Sequence, residues 1–177
     1  MPSPAVPVFV TPDASEAGRR ALRDALGQFA TGVTIITTLD AAGKDIGLTV
    51  NSFASVSLDP PLILWSIAAG SQHVAAFAVG VRFAVHILGQ DQAALARHFG
   101  RPGVDRFAAV EPELEIGRGL GGVPLLGGVM AIFECLLETV APAGDHHILI
   151  ARVERFAVPG GAPLTFFAGR FGGVGTT

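Results

Sequence analysis

The sequence has little charge and a single cysteine. Only 15% of its 177 residues are charged while 50% are hydrophobic, so the composition excludes a disordered or collagen-like chain. The length suits one domain with a substantial core. Cys135 stands in the apolar run MAIFECLL, which excludes a disulfide framework, predicts a buried inert thiol and favours a reducing, cytoplasmic location.

Basic residues are also few. The 12 Lys and Arg residues form no run, and the net charge is −3, so we expect no nucleic-acid partner. The N-terminus has no basic segment of the kind that opens a signal peptide, so residues 1–17 are predicted to be an extended tail before one domain over 18–177. The uncharged run Pro60 to Val81 is interrupted by Pro, Gly and polar residues, and we expect no membrane span there.

Several catalytic patterns are missing. No Gly-x-Ser-x-Gly elbow and no alignable Ser, His and acid set is present. His146 and His147 are successive strand residues that face opposite ways, and the other histidines show no ligand spacing, so no metal site is expected. GRGLGG at 117–122 formally matches G-x-G-x-x-G, but Val123-Pro124 follows where the dinucleotide fingerprint needs a helix. We therefore interpret it as a flexible loop.

Apolar periodicity predicts mainly strands with a few short helices. Asp13 and Glu16 are spaced as a capping pair for a first helix, whose Leu22, Leu26 and Phe29 recur at helical spacing. We expect this helix to pack on the main body.

The strands follow one another along the chain. Val33–Val56 predicts a β-hairpin, and further strands are predicted in PLILWSI, RFAVHIL, GGVMAIFECLLETV, HHILIARVERFAV and PLTFFAG. Short helices are predicted in SQHVAAFA, capped by Ser71, and DQAALARHFG, capped by Asp91, and irregular structure in 110–124. Strands in succession without βαβ repeats favour a small Greek-key β-barrel, an α+β class that is mainly β with short helices.

The stretch GLTVNSFASVSLDPP, residues 47–61, is polar but uncharged before Asp59. At strand spacing one face collects the side chains of Thr49, Asn51, Phe53, Ser55 and Ser57. A half-exposed strand that meets water is one interpretation. The other is a socket for a heteroaromatic ligand, because a solvated face normally carries Lys and Glu.

Other candidate residues are open to two interpretations. Ser71 at a helix N-terminus favours a phosphate. His146 opens a strand after a Gly-Asp turn and is either a surface or a functional residue. Glu134 and Glu138 lie four apart in a strand, and we expect a solvated edge.

Seven segments together resemble a known family. They are FATGVTIITT, GLTVNSFASVSLDPPLILWSI, FAVHILGQDQAALARHFG, DRF, GVPLLGGVMAIFECLL, AGDHHILIARV and PLTFFAGRFG. In this order they resemble the flavin reductase family that partners two-component flavin monooxygenases, over about Leu22 to Gly172. The resemblance implies a homodimeric split β-barrel that binds FMN or FAD, reduces it with NADH or NADPH, and passes reduced flavin to a separate monooxygenase.

The resemblance also implies roles for individual residues. The positions that match flavin-contacting segments are Thr49, Val50, Asn51 and Ser52, with Ser55 nearby, then Ser66, Ile67 and Ser71, and the loop of Phe99, Gly100 and Arg101 near the phosphate or adenine end. The positions that match the nicotinamide side are His146, Arg170 and Phe171.

Departures from the family pattern fall near the nicotinamide side. Ala151 stands where the family has glycine, and phenylalanines stand where an aromatic pair of tyrosines is expected, since the chain has no tyrosine. Two alternatives stay open: a barrel that keeps its flavin bound and acts on another substrate, and a non-catalytic ligand-binding barrel.

Overall fold

The computed structural model describes residues 8–108 and 114–174. In these residues the chain forms two α-helices, α1 (Glu16–Leu26) and α2 (Ala93–Gly100). The strands are β1 (Thr31–Gly32), β2 (Thr34–Leu39), β3 (Asp45–Val50), β4 (Ala54–Leu58), β5 (Pro61–Ala68), β6 (Arg82–Ile87), β7 (Ile116–Arg118), β8 (Pro124–Leu126), β9 (Ala131–Ala143), β10 (His146–Ala157), β11 (Leu164–Phe167) and β12 (Arg170–Gly173). The prediction of a mainly β chain with short helices is confirmed.

One seven-stranded sheet, ordered β3-β2-β6-β9-β10-β5-β4, forms the body, and smaller sheets are β1-β11-β12 and β7-β8. The pairs in the described residues are antiparallel, as expected for successive strands without βαβ units. β3 and β4 stand at opposite edges of the large sheet, although only residues 51–53 join them. Such a connection spans at most about 14 Å, so the sheet curls until its edges approach; no β3–β4 ladder closes it in the described residues.

The apolar faces of the strands form two clusters. The first surrounds Trp65, whose ring lies 4.8 Å from Phe77 and 6.0 Å from Phe83 between centroids. The second joins Phe99 of α2 to residues from the sheets. Cys135 is buried in the first cluster, and burial raises the pKa of its thiol to about 12. The prediction of a buried inert thiol is confirmed.

The prediction of a β-hairpin over Val33–Val56 is wrong for the second half of its second strand. β3 ends at Val50, residues 51–53 lie outside any strand, and Ala54 begins β4, which pairs with β5 instead. The expected single polar face from Thr49 to Ser57 is therefore broken in the middle. Strand periodicity could not show this, because the chain keeps strand-forming residues while it crosses from one sheet edge to the other.

The prediction for the first helix needs two corrections. Ser15, and not the pair Asp13 and Glu16, caps α1, because its Oγ accepts a hydrogen bond from Gly18 N at 2.9 Å. Leu22, Leu26 and Phe29 are 43%, 68% and 79% exposed, and α1 buries no residue. The expectation that α1 packs on the main body is wrong for the single chain.

Two further helix predictions are also wrong in detail. SQHVAAFA forms only a 3₁₀ turn at Val74–Ala76, so the argument that Ser71 stands at a helix N-terminus fails. Gln92, and not Asp91, is the N-cap residue of α2.

The remaining local predictions fall partly outside the described residues. Residues 1–7 of the predicted tail and 109–113 of the predicted irregular stretch lie outside them. From Leu114 onward, β7, β8 and a 3₁₀ turn at Leu120–Gly122 replace the expected irregular structure. No helix within 8–108 and 114–174 is both long enough and apolar enough to cross a membrane.

Candidate functional site

The end of β3 is held by two hydroxyl groups. Thr49 Oγ1 donates to Ala96 O of α2 at 2.7 Å, and Thr34 Oγ1 donates to Val50 O at 3.1 Å. Asn51, the first residue after β3, is exposed. The predicted site segment therefore begins on a rigid strand and presents its first free amide side chain at Asn51.

Ser52 joins this segment to the opposite sheet edge. Its Oγ accepts a hydrogen bond from Ser66 N at 2.9 Å and lies 3.2 Å from Ser66 O. The last β4–β5 pair is Ala54 with Leu64. Beyond this pair, the Ser52 hydroxyl takes the place of a partner strand and contacts the main chain of β5 at Ser66. The structure thus brings Ser52 and Ser66 together, and the exposed Ser55 follows in β4.

His146 lies on the same side of the sheet as Ser66. In the β5–β10 ladder His146 pairs with Ala68, and Ile148 pairs with Ser66; paired and alternate residues share a face. The imidazole is half-exposed, with Nδ1 2.7 Å from Asp145 Oδ1. Its hydrogen bond and charge lower the pKa of Asp145, so the carboxylate orients the ring and directs Nε2 away from it.

Two predicted site residues point into the core instead. The Ile67 side chain is buried in the first cluster, so only its main chain could meet a cofactor. Phe99 is fully buried and packs against Phe107, with ring centroids 5.2 Å apart. Phe99 also lies against Gly47, where an added Cβ would come within 2.4 Å of its ring. These side chains shape the site from beneath and do not line it.

A cleft of about 630 Å³, here called cleft A, lies on one side of β3. Its walls are the β2–β3 turn, the segment after Ser71 and the loop 103–107. Ser71 Oγ accepts from His73 N at 3.2 Å. Arg106 crosses the cleft wall: Nη1 donates to Gly47 O at 2.5 Å and Nε donates to Arg101 O at 2.9 Å. The loop predicted near the phosphate end is therefore fastened to β3.

A second cleft of about 450 Å³, here called cleft B, is bordered by Asn51, the C-terminal end of α1 and the β11–β12 turn. Thr31, which also lines cleft B, has a buried Oγ1 without a hydrogen-bond partner among the described residues. Arg170 is exposed in β12 next to this turn. Phe171 packs against Phe166 at 5.4 Å between centroids, with the Arg97 guanidinium 5.2 Å above its ring. Cleft B therefore adjoins the segment that was predicted to contact a nicotinamide nucleotide.

Glu134 is a buried carboxylate that sequence reasoning placed at a solvated edge. It accepts a hydrogen bond from Leu120 N and pairs with Arg155. An added Cβ on Gly119 would lie 2.1 Å from its Oε1. GRGLGG is thus a short strand and a 3₁₀ turn fastened by Glu134, neither the predicted flexible loop nor the start of a dinucleotide-binding helix. Glu138 is exposed and pairs with Arg152 at 2.6 Å.

The polar groups of residues 51–55 and of Ser66 fit a flavin better than a metal or a highly charged ligand. Asn51, Ser52, Ser55 and Ser66 are neutral, and residues 51–53 leave their main-chain groups outside strand ladders. Neutral donors and acceptors of this kind suit a ring system rich in nitrogen and oxygen. The residue that sequence reasoning missed is Arg106, although it stands inside the quoted DRF segment.

Comparison with known proteins assigns most of the chain to one protein family. The family model described as "Flavin reductase like domain" matches residues 26–175. The chain is 46% identical to the FMN reductase (NADH) SmoA of Agrobacterium fabrum, over 86% of this chain and 84% of that protein. It is 45% identical to the reductase component of the flavin-dependent trigonelline monooxygenase of Acinetobacter baylyi, over 86% of this chain and 48% of that protein. The chain spans less than half the length of some of the curated relatives that it matches.

Solved structures agree with this assignment. The NADH:FAD oxidoreductase SgcE6 of Streptomyces globisporus C-1027, solved in complex with NAD and FAD fragments, matches with a TM-score of 0.80 and 34% identity. That match covers 93% of this chain and 95% of the other. Since the family model matches residues 26–175 and so includes every strand of the large sheet, the chain belongs to the flavin reductase-like domain family.

Proposed function

We propose that the protein is an NAD(P)H-dependent flavin reductase, which uses NADH or NADPH to reduce FMN or FAD. The observation that carries this proposal is the extent of the family match, because residues 26–175 include every predicted site segment. The 46% identity to an FMN reductase (NADH), over most of both chains, supports the same activity.

The proposed architecture is a split β-barrel with Greek-key topology over residues 18–177, preceded by the tail 1–17. The three-residue connection between opposite edges of the large sheet supports it, since those edges must lie close together. In this arrangement the polar segment around Asn51 lies at the split between the edges.

For the flavin, we assign the ring edge and ribityl chain to Thr49, Val50, Asn51 and Ser52. Ser55, Ser66 and the main chain of Ile67 lie next to them, and Ser71 and the Phe99–Arg101 loop lead toward the phosphate end. The hydroxyl groups of Thr49 and Ser52 already hold α2 and β5. Their part in binding is to fix the segment, while the Asn51 amide and exposed main-chain groups remain available for the ligand.

Hydride transfer from a dihydronicotinamide to the flavin is supplied by the two bound cofactors. The chain contributes binding, orientation and exclusion of water. His146, oriented by Asp145, positions the nicotinamide nucleotide or donates to its phosphate. Arg170 contacts the pyrophosphate, and Phe171 supports that strand through Phe166 and Arg97.

We place the protein in the cytoplasm as a homodimer that supplies reduced flavin to a separate monooxygenase. The relative from Acinetobacter baylyi is the reductase component of such a monooxygenase. The exposed side chains of Leu22 and Leu26 on α1, and of Phe29 just after it, support a dimer interface, since a single chain leaves this apolar surface in water.

The first experiment measures NADH oxidation at 340 nm with and without added FMN or FAD, beside the same assay with NADPH. Flavin-dependent oxidation is expected. In the same assay His146→Ala should lower kcat/KM for the nicotinamide nucleotide about tenfold, while flavin binding, measured separately, stays unchanged.

Two outcomes would contradict the proposal. Bound flavin without turnover would favour an oxidoreductase that keeps its flavin and acts on another substrate. Neither turnover nor stabilisation by saturating flavin would favour a non-catalytic barrel. Unchanged kinetics in His146→Ala would remove His146 from the site.

A further inference from the structure

The helix α2 is attached to β3, the strand that leads into the segment assigned to the flavin ring. Thr49 Oγ1 donates to Ala96 O of the helix at 2.7 Å. Phe99 is fully buried and lies against Gly47 of the same strand. Ala96 and Phe99 are three residues apart and therefore lie on one helix face. These contacts fix the position of α2 relative to β3.

Arg97, the residue after Ala96, connects the same helix to a different segment. Its side chain is exposed, and its guanidinium carbon lies 5.2 Å from the centroid of the Phe171 ring in β12. A guanidinium within about 6 Å of an aromatic centroid is attracted by the negative face of the ring. The Phe171 ring also packs on Phe166 of β11, with centroids 5.4 Å apart. Phe171 is therefore held both by its own hairpin and by α2.

The strand β12 has few other ways to attach to the body of the protein. In the described residues it is the outer strand of the sheet β1-β11-β12 and pairs with β11 on one side. Its sequence is RFGG, so the Phe171 ring is the apolar side chain with which the strand can pack. That ring packs on the second cluster, and the neighbouring Arg170 faces the opposite way. The position of Arg170 thus depends on how firmly the Phe171 ring is held.

We propose that Arg97 is a positioning residue for the nicotinamide nucleotide. By holding the Phe171 ring it keeps β12, and with it Arg170, in a fixed position relative to the flavin segment at the end of β3. The proposal rests on the proposed reductase function, in which Arg170 contacts the nicotinamide nucleotide. Consecutive residues of α2, Ala96 and Arg97, then link the flavin side to the nicotinamide side.

Loss of this contact should change binding and not the chemical step. A β12 that is no longer held by Arg97 spends part of its time in other positions. The apparent affinity for a ligand falls in proportion to the fraction of molecules in the competent position. Once the nucleotide is bound, Arg170 is in place again, so the rate at saturation is preserved. The flavin segment keeps its own attachment to α2 through Thr49.

The test measures steady-state NADH oxidation at saturating flavin for the wild type, Arg97→Met and Arg97→Lys, beside flavin titrations. Arg97→Met keeps a long side chain without charge and should raise KM for NADH about threefold. It should leave kcat and the flavin dissociation constant unchanged. Arg97→Lys keeps a cation over the ring and should fall between. Arg20→Met, which replaces an exposed arginine of α1, is the matched control and should behave as the wild type.

A second set of variants tests whether the effect passes through the aromatic ring. Phe171→Leu keeps an apolar side chain but removes the ring, and should itself raise KM for NADH. Adding Arg97→Met to Phe171→Leu should then cause no further increase. Independent, additive effects of the two changes would show that Arg97 does not act through Phe171 and would overturn the proposal.

Hydrogen exchange of the amides of residues 170–173 measures the attachment of β12 without any ligand. Exchange should be faster in Arg97→Met and unchanged in Arg20→Met. An unchanged KM for NADH in Arg97→Met would overturn the proposal, and equal losses of NADH and flavin binding would assign Arg97 to the structure of α2 as a whole and overturn it too. Both outcomes leave an active wild-type reductase. A wild type that oxidises no NADH in the presence of flavin would contradict the proposed function and, with it, the positioning role.

Discussion

Clefts A and B border opposite ends of β3, cleft A at Asp45–Gly47 and cleft B at Asn51, and their walls are supported in different ways. In cleft A the walls are cross-linked by Lys44–Asp105, by Arg118–Asp45 and by the two carbonyl bonds of Arg106. Cleft B has as one wall the helix α1, which buries no side chain. A single chain therefore completes cleft A, whereas cleft B keeps one loosely supported wall.

Because their walls are supported differently, the two clefts suit two different tasks of the proposed reductase. A preorganised cleft costs little conformational entropy when a ligand enters, which suits tight placement of a flavin tail. A cleft bordered by a helix with exposed leucines suits completion by a second copy of the chain. The predictions below change one side of this comparison at a time.

The largest effect is expected from acid, in the second cluster, on which Phe107 of the wall of cleft A packs. His86 is fully buried beneath the second cluster, where Nδ1 donates to Ile35 O at 3.0 Å and Nε2 accepts from Leu126 N at 3.1 Å. The Nε2 bond requires a neutral ring. Burial lowers the pKa of His86 from 6.5 to about 4, although the bond to Ile35 O and the Glu134 charge oppose this. A depressed folded-state pKa gives stability that is present above pH 6.5 and is lost as the pH falls toward 4.

The shift corresponds to roughly 3 kcal/mol in the free energy of unfolding. Urea unfolding at pH 7.5, 5.5 and 4.5 measures the loss. His86→Gln is the comparison: it should be less stable at pH 7.5 but should lose less on acidification. Identical pH dependence in the two proteins would assign the acid sensitivity to other groups.

A smaller effect on stability is expected when a glycine near each cleft is replaced by alanine, which adds one methyl group. Gly47→Ala places a Cβ 2.4 Å from the Phe99 ring and 3.1 Å from Phe107. Such overpacking should lower the free energy of unfolding by about 2 kcal/mol. Gly32→Ala, in β1 next to cleft B, meets no atom within 4 Å and should leave stability unchanged within about 0.5 kcal/mol. Equal losses in the two variants would show that the side of cleft A is not the more tightly packed one.

The sequence predicted what depends on local pattern. The β-rich composition, the buried Cys135 and the segments of the flavin reductase family are all readable in short stretches. It could not predict that the strand ends at Val50, because the residues on both sides of the break favour strands equally. Nor could it assign Arg106, whose role depends on a carbonyl 59 residues away in sequence.

The exposed apolar side chains at the end of α1 show a second limit of prediction from sequence. The helical spacing correctly predicted Leu22 and Leu26 on one helix, while Phe29 lies beyond the end of α1. Periodicity does not say what covers such an apolar face. The same pattern serves a helix packed on its own core and a helix packed on a second chain. The exposed fractions in the structure show that this face is not packed on the core of its own chain.

The smallest effect is therefore expected at the end of α1 and in the turn that follows it, on association of the chain and not on its folding. Replacing Leu26 and Phe29 together by Ser removes apolar area that is 68% and 79% exposed in the single chain. The double variant should keep its circular dichroism spectrum but raise the dissociation constant of the proposed homodimer about tenfold, equivalent to about 1.4 kcal/mol. Sedimentation velocity over a range of concentrations measures it, with Arg20→Ser on the opposite face of α1 as the control. Unchanged association would mean that α1 lies outside the interface, and cleft B would then have to be complete, like cleft A, within one chain.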